Sequence, residues 1–197
     1  MRLRPAIALA CAALASLCCS SCIDHSVHAW FPGKEAQFDS ALLGTWTYEN
    51  EGEKIHLTFQ RDSDGFYRLD YTSTKRNSQN QDRGSWNAKL LRMNGVTFLD
   101  YQPRAGETSA DGAWLIPTHG LARLNLQDKR LSLSLLNSSR LESDAKSGRL
   151  AELKSTWLPD GDLLLTSNTE ELYRYLLKHA AEEDFFEEPT GPFIRGK

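Results

Sequence analysis

The sequence predicts an all-β protein: an up-and-down antiparallel barrel of about eight strands, followed by one helix. Three observations carry this expectation. Short runs alternate apolar and polar residues with a period of two, as in Ile55, Leu57 and Phe59 against Lys54, His56, Thr58 and Gln60. Turn signals built from Asp, Asn and Gly separate these runs, so that most neighbours read as hairpins. Near the end the period changes, and Leu172, Tyr173, Leu176, Leu177 and Ala180 recur at helical spacing.

Residues 1–21 read as a targeting segment and carry no information about the fold. Arg2 and Arg4 give a positive start, and Ala6–Ala15 opens an uncharged apolar run that reaches Cys19 with one serine. The run is shorter than the ~20 apolar residues of a membrane-crossing helix. A helix apolar on every face must be surrounded by protein, which disfavours a core helix that opens the chain behind two arginines. All four cysteines, Cys11, Cys18, Cys19 and Cys22, lie before residue 23. Cys19-Ser20-Ser21-Cys22 resembles the bacterial lipoprotein motif, or lipobox: an apolar or small residue, two small residues, and the cysteine that receives the lipid. Cys19 stands where that motif usually has Leu. The resemblance implies lipidation of Cys22, with a thioether-linked diacylglyceryl group and fatty acyl chains such as palmitate. Two or three such chains anchor stably, at roughly 0.8 kcal/mol per buried CH₂, without a membrane-spanning helix. In such lipoproteins an Asp directly after the cysteine favours retention in the inner membrane. Ile23 occupies that position, so the resemblance points to the outer membrane of a Gram-negative envelope and a protein facing the periplasm. The other export reading is a simple secretory signal, cut and discarded.

Residues 22–40 show no period and are broken by Pro32-Gly33-Lys34, so they read as a membrane tether. Within them His25 and His28 are too few to hold a metal. Residues 41–181 read as the barrel and its helix. Leu42–Tyr48 is the first strand. Lys54–Arg61 and Phe66–Ser73 form a hairpin around Asp62-Ser-Asp-Gly65, with Tyr67, Leu69 and Tyr71 on one face of the second strand. The polar stretch Thr74–Arg83 reads as a loop. Gly84–Met93 alternates Trp86, Ala88 and Leu90 against Asn87 and Lys89, turns at Asn94-Gly95, and returns as Val96–Gln102 with Phe98 and Tyr101. After a polar loop, Pro103–Gly112, Ala113–Ile116 reopens a strand that breaks at Pro117-Thr-His-Gly120. Leu121–Leu126 and Arg130–Leu136 continue, the latter with Leu131, Leu133 and Leu135 on one face. Asn137–Lys154 reads as one short helix and a loop, and Ser155–Leu158 with Asp162–Thr166 as a last hairpin. Ser167-Asn-Thr-Glu170 has the form of a capping box and opens a helix of about Asn168–Ala181. Residues 182–197 read as an acidic tail. Its segment Glu182–Glu188 is either a docking tail or a helix end whose Phe185 and Phe186 pack back on the barrel.

Leu42-Leu43-Gly44-Thr45-Trp46 opens the first strand, and this Gly-x-Trp resembles the signature of the lipocalin-like barrels. The hairpin from Ile55 to Tyr71, "LIPTHGLARLNL" and "LLLTSNTEELYRYLLKHA" are similar to a group of bacterial lipocalin-like lipoproteins, across most of residues 42–181. The resemblance implies that the glycine permits a bend and that Trp46 plugs the closed end of the barrel. It also implies a basic side chain from the last strand behind the tryptophan. Asp162–Thr166 has no Arg or Lys, so that support is missing there or comes from elsewhere.

The chain from residue 22 on has 176 residues, enough for a single core. Its formal net charge falls from −3 to −5 once Arg2 and Arg4 leave, which argues against nucleic acid as a partner. Without further cysteines, stability must come from packing, and five Trp, six Tyr and eight Phe supply the surface. No catalytic motif is present: there is no Gly-x-Ser-x-Gly, no His-Glu-x-x-His, no phosphate-cradling glycine loop. No metal or cofactor is expected. An eight-stranded barrel is either filled by side chains or holds one small ligand. The ligand-lining candidates are Phe59, Tyr71, Trp86, Phe98 and Trp114, with His119 in its break beside the barrel rim. Three functions follow: a lipid-anchored carrier of a small apolar or amphipathic molecule, an envelope scaffold that binds another protein, and, least supported, an enzyme with a site near His119.

Overall fold

The computed structural model describes residues 25–76, 81–104 and 117–196; Cys22, the expected lipidation site, Trp114 and most of the stretch from Pro103 to Ile116 lie outside them. Eight antiparallel strands form a closed barrel: β2 (Gly44–Asn50), β3 (Glu53–Arg61), β4 (Tyr67–Lys75), β5 (Gln81–Met93), β6 (Val96–Pro103), β7 (Gly120–Gln127), β8 (Arg130–Leu135) and β11 (Thr190–Arg195). Each pairs with its neighbour, and β11 closes the ring by pairing with both β8 and β2. A second, three-stranded sheet lies outside the barrel. In it β1 (His25–Ser26) runs parallel to β10 (Leu163–Leu165), which pairs antiparallel with β9 (Ser155–Trp157). Two helices, α1 (Ser138–Lys146) and α2 (Thr169–His179), complete the fold.

The alternation in the sequence dictates the barrel. Ile55, Leu57 and Phe59 of β3 pair with Ser73, Tyr71 and Leu69 of β4, so one face of each strand is apolar and points inward. Asn94 and Gly95 adopt the left-handed conformation that a tight hairpin turn requires. Of the polar stretch Thr74–Arg83 expected as a loop, Thr74 and Lys75 belong to β4 and 81–83 to β5, while 77–80 lie outside the described residues.

Four further expectations change. The last barrel strand is not in the hairpin at 155–166 but in Thr190–Arg195, inside the segment read as an acidic tail. Phe193 points inward there and Ile194 outward, and Phe185 and Phe186 pack back on the body. The supposed tether is bound to the barrel from His25 onward: Trp30 and Phe31 are buried, and Gln37 N–H donates to the Leu90 carbonyl at 2.8 Å. It shows no period because it is an irregular strap held by two aromatic side chains. The helix cap sits one residue later than read. Asn168 accepts from the Glu171 N–H at 2.9 Å and Glu171 reaches back to Asn168 N–H at 3.2 Å, while Ser167 is buried and accepts from the Lys154 N–H at 2.7 Å. Finally, α2 buries Leu172, Tyr175, Leu176 and Ala180, and leaves Leu177 46% exposed.

Candidate functional site

One end of the barrel is shut by an interlocking set of side chains. A 3₁₀ turn at Ser40–Leu42 leads into β2, and Trp46 Nε1 donates to the Leu42 carbonyl at 2.8 Å. Arg195 of β11 lies with its guanidinium 5.4 Å from the Trp46 ring centre and donates to the Leu43 carbonyl at 2.5 Å. The basic support absent from 162–166 thus comes from the strand that closes the barrel. Gly44 has φ +115°, a backbone region that disfavours a side chain, and a Cβ there would stand 3.6 Å from the Arg195 side chain. Beside this plug, Phe38 stacks on Tyr67 at 5.0 Å, and the Tyr67 hydroxyl both accepts from Asp39 N–H at 2.6 Å and donates to its carbonyl at 2.9 Å.

Phe59, Tyr71 and Trp86, three of the expected ligand-lining residues, do lie inside the barrel. They fill it. Phe59 meets Tyr67 edge-on at 6.2 Å, and Tyr71 meets Trp86 edge-on at 6.4 Å. Leu57, Leu69, Leu90, Leu99, Leu131 and Phe193 occupy the space between them, all nearly inaccessible. Two glycines make room for the largest rings. A Cβ on Gly84 would lie 2.1 Å from the Trp86 ring, and one on Gly120 would lie 2.3 Å from the Tyr101 ring.

Phe98 and His119 are placed elsewhere. Phe98 points out of the barrel, stacked on Phe186 at 5.8 Å, and lines no interior. His119 lies on the outer wall, where its Nδ1 donates to the Asp100 carboxylate at 3.0 and 3.1 Å. Asp100 is buried, 3% exposed. A carboxylate that orients an imidazole in this way can support a base at Nε2. The nearby Ser26 hydroxyl donates to the His28 carbonyl at 2.7 Å. His119 instead clasps the strap: its N–H donates to the Ser26 carbonyl at 2.8 Å and its carbonyl accepts from Ser26 N–H at 3.0 Å. His25 is half-buried and His28 exposed, and among the described residues no three His, Cys, Asp or Glu side chains converge as metal ligands.

The end of the barrel away from Trp46 also carries polar groups. Ser73 donates to Glu53 at 2.5 Å, and the Tyr101 hydroxyl is buried without a hydrogen-bond partner among the described residues. Glu187 N–H donates to the Leu135 carbonyl at 2.8 Å, just past Phe186, which packs outward. Burial raises the Tyr101 pKa, with smaller contributions from Asp100 and Glu187, and burial also raises that of Glu187. Tyr101 and Glu187 carried no motif; the signal for Tyr101 was its parity with Leu99, opposite to that of Phe98.

Two grooves among the described residues, of about 370 and 330 Å³, lie elsewhere. Asp39, Arg92, Thr97 and Asp128 border the first, at the closed end. Arg123, Ser132, Ser134 and Pro189 border the second, on the outer wall. No helix among the described residues is long and apolar enough to cross a membrane. No protein-family model, curated protein or solved structure matches the chain.

Proposed function

We propose that this chain is a lipid-anchored protein of the bacterial envelope, held through Cys22 in the outer membrane and facing the periplasm, whose barrel is a solid scaffold for protein interaction. The observation that carries the scaffold reading is the mutual packing of buried rings inside the barrel, Phe59 on Tyr67 and Tyr71 on Trp86. A carrier needs a space of some hundreds of Å³ largely lined by apolar groups, whereas here glycines at 84 and 120 give up their side-chain volume to aromatic rings. The lipocalin-like reading gains support from Trp46 backed by Arg195. Anchoring rests on the lipobox resemblance at Cys19–Cys22.

Native mass spectrometry of purified residues 22–197 tests the scaffold against the carrier. The expected result is the bare chain mass, with any co-purified species being another protein. A small molecule retained in stoichiometric amount overturns it. One observation favours this second reading, a carrier that uses the polar end: the orphaned Tyr101 hydroxyl. Loss of the retained molecule in Tyr101→Phe would locate it there. Cys22→Ser tests the anchor separately: the expected outcome is an unprocessed precursor without acyl chains, and normal maturation overturns it.

A further inference from the structure

The strap fixes how far the body can stand from its lipid. From His25 on the chain is bound to the barrel: His25 and Ser26 pair with Leu164 and Leu165, Ser26 and His119 exchange backbone hydrogen bonds, and Trp30 and Phe31 are buried. Only three peptide steps separate Cys22 from His25. Fully extended, they reach roughly 10 Å. A lipid on Cys22 therefore holds the surface around His25 against the leaflet that contains it.

That surface has a particular chemistry. His25 lies across from Leu164, and Leu164 across from Thr156 of β9. Two strand spacings put β9 about 10 Å from β1. All three residues of β9 are exposed, and it is the outer strand of its sheet. Its Trp157 is 43% exposed, with Lys146 Nζ 5.0 Å from the ring centre. Tryptophan prefers the headgroup level of a bilayer, where its ring is half-solvated by acyl chains and its N–H by water. An uncovered strand edge beside it also invites pairing with other chains unless something covers it.

Resting on the Cys22 anchor, we propose that the β9 edge is the membrane-facing surface of the protein, with Trp157 seated among the lipid headgroups beside the exit of the chain at His25. The neighbouring cations have acidic partners: Lys146 pairs with Glu142, Arg149 with Asp144 and Lys154 with Glu171. Contact therefore depends on the aromatic ring and the short leash, and not on anionic lipid.

Residues 22–197 contain one cysteine, Cys22, which allows the geometry to be imposed chemically. The purified chain is coupled through that thiol to a maleimide lipid in phosphatidylcholine vesicles, and tryptophan emission is read with and without brominated acyl chains. The expected result is quenching in the parent that is lost in Trp157→Phe. It should also weaken when ten Gly/Ser residues are inserted between Ile23 and Asp24, because lengthening the leash from 3 to 13 residues lowers the effective concentration of the face at the bilayer roughly ninefold. Equal quenching in parent and Trp157→Phe, or none in either, overturns the proposal. So does a dimer in vesicle-free solution that Trp157→Phe dissociates, since a second copy then covers this edge. Because the coupling is chemical, these outcomes are independent of Cys22→Ser in cells, which tests the anchor alone.

Discussion

The barrel has two different walls. Along β3 and β4 the outward residues are polar, among them Lys54, Thr58, Gln60, Arg68 and Asp70, and they meet water. Along β5 to β7 the outward positions include Leu91, Phe98 and Leu121, and with Leu136, just past β8, they belong to a second core. That core is completed by Trp30 and Phe31 of the strap, Leu141 of α1, Leu163 and Leu165 of β10, Leu172 and Leu176 of α2, and Phe185 and Phe186. The bare wall is stabilised from one side only, and the covered wall from both. The segment 136–189, which with the strap builds the cover, also returns β11 to the gap between β8 and β2. Closure of the ring and most of the cover of its wall therefore depend on the same stretch of chain.

The largest expected effect breaks both at once. Deleting 182–197 removes the closing strand together with Phe185 and Phe186, and with them the Arg140 pairs to Glu182 and Asp184. It leaves the edges of β2 and β8 unpaired, which favours association with other chains. Loss of the near-ultraviolet circular dichroism signal and aggregation are the expected outcome. A soluble product with the parent's cooperative unfolding would show that the barrel does not need β11.

A smaller effect separates the two walls. Phe98→Ala removes a fully buried ring from the covered wall, for which the expected cost is about 3–5 kcal/mol. Gln60→Ala, at an exposed outward position on β3, should change stability by less than about 0.5 kcal/mol. Urea unfolding of both variants checks the contrast. Similar costs at the two positions would mean that the cover contributes little.

The contrast was partly legible. The bare wall was read well because one face of each strand is apolar and the other polar, a period that declares itself. The covered wall hid its own signal: Leu90-Leu91, Phe98-Leu99, Leu121-Ala122 and Leu135-Leu136 are adjacent apolar pairs, each with one member on either side of the sheet. A strand buried on both faces loses its alternation, so these doublets marked where a second layer lies. β11 was missed because "TGPFIR" has a glycine and a proline among six residues and follows an acidic stretch, so its only strand cue is the Phe193–Ile194 pair. The site was less legible than the fold. Aromatic content does not say how the rings meet; that follows from contacts such as Tyr48 of β2 with Phe193 of β11, between strands far apart in sequence.

Acid should act oppositely on the cover and on the polar barrel end. Glu182 accepts from Arg140, which holds its pKa below the ordinary glutamate value, with a further hydrogen bond to His179. Its contribution is present above the ordinary value and is lost as pH falls through the depressed one, reduced by solvent screening because the side chain is 40% exposed. Glu187 has its pKa raised by burial, so the folded chain holds that proton more tightly than the unfolded chain does. Its ionisation costs stability, absent below the ordinary value and fully present once pH has risen through the raised one. Glu187→Gln should therefore raise the urea midpoint at pH 7 and leave it unchanged at about pH 3.5, where the parent carboxyl is already protonated. Glu182→Gln should lower the midpoint at pH 7, and its effect should also shrink in acid. If Glu187→Gln destabilises at pH 7, the carboxylate has a favourable partner at the barrel end, and the contrast with Glu182 fails.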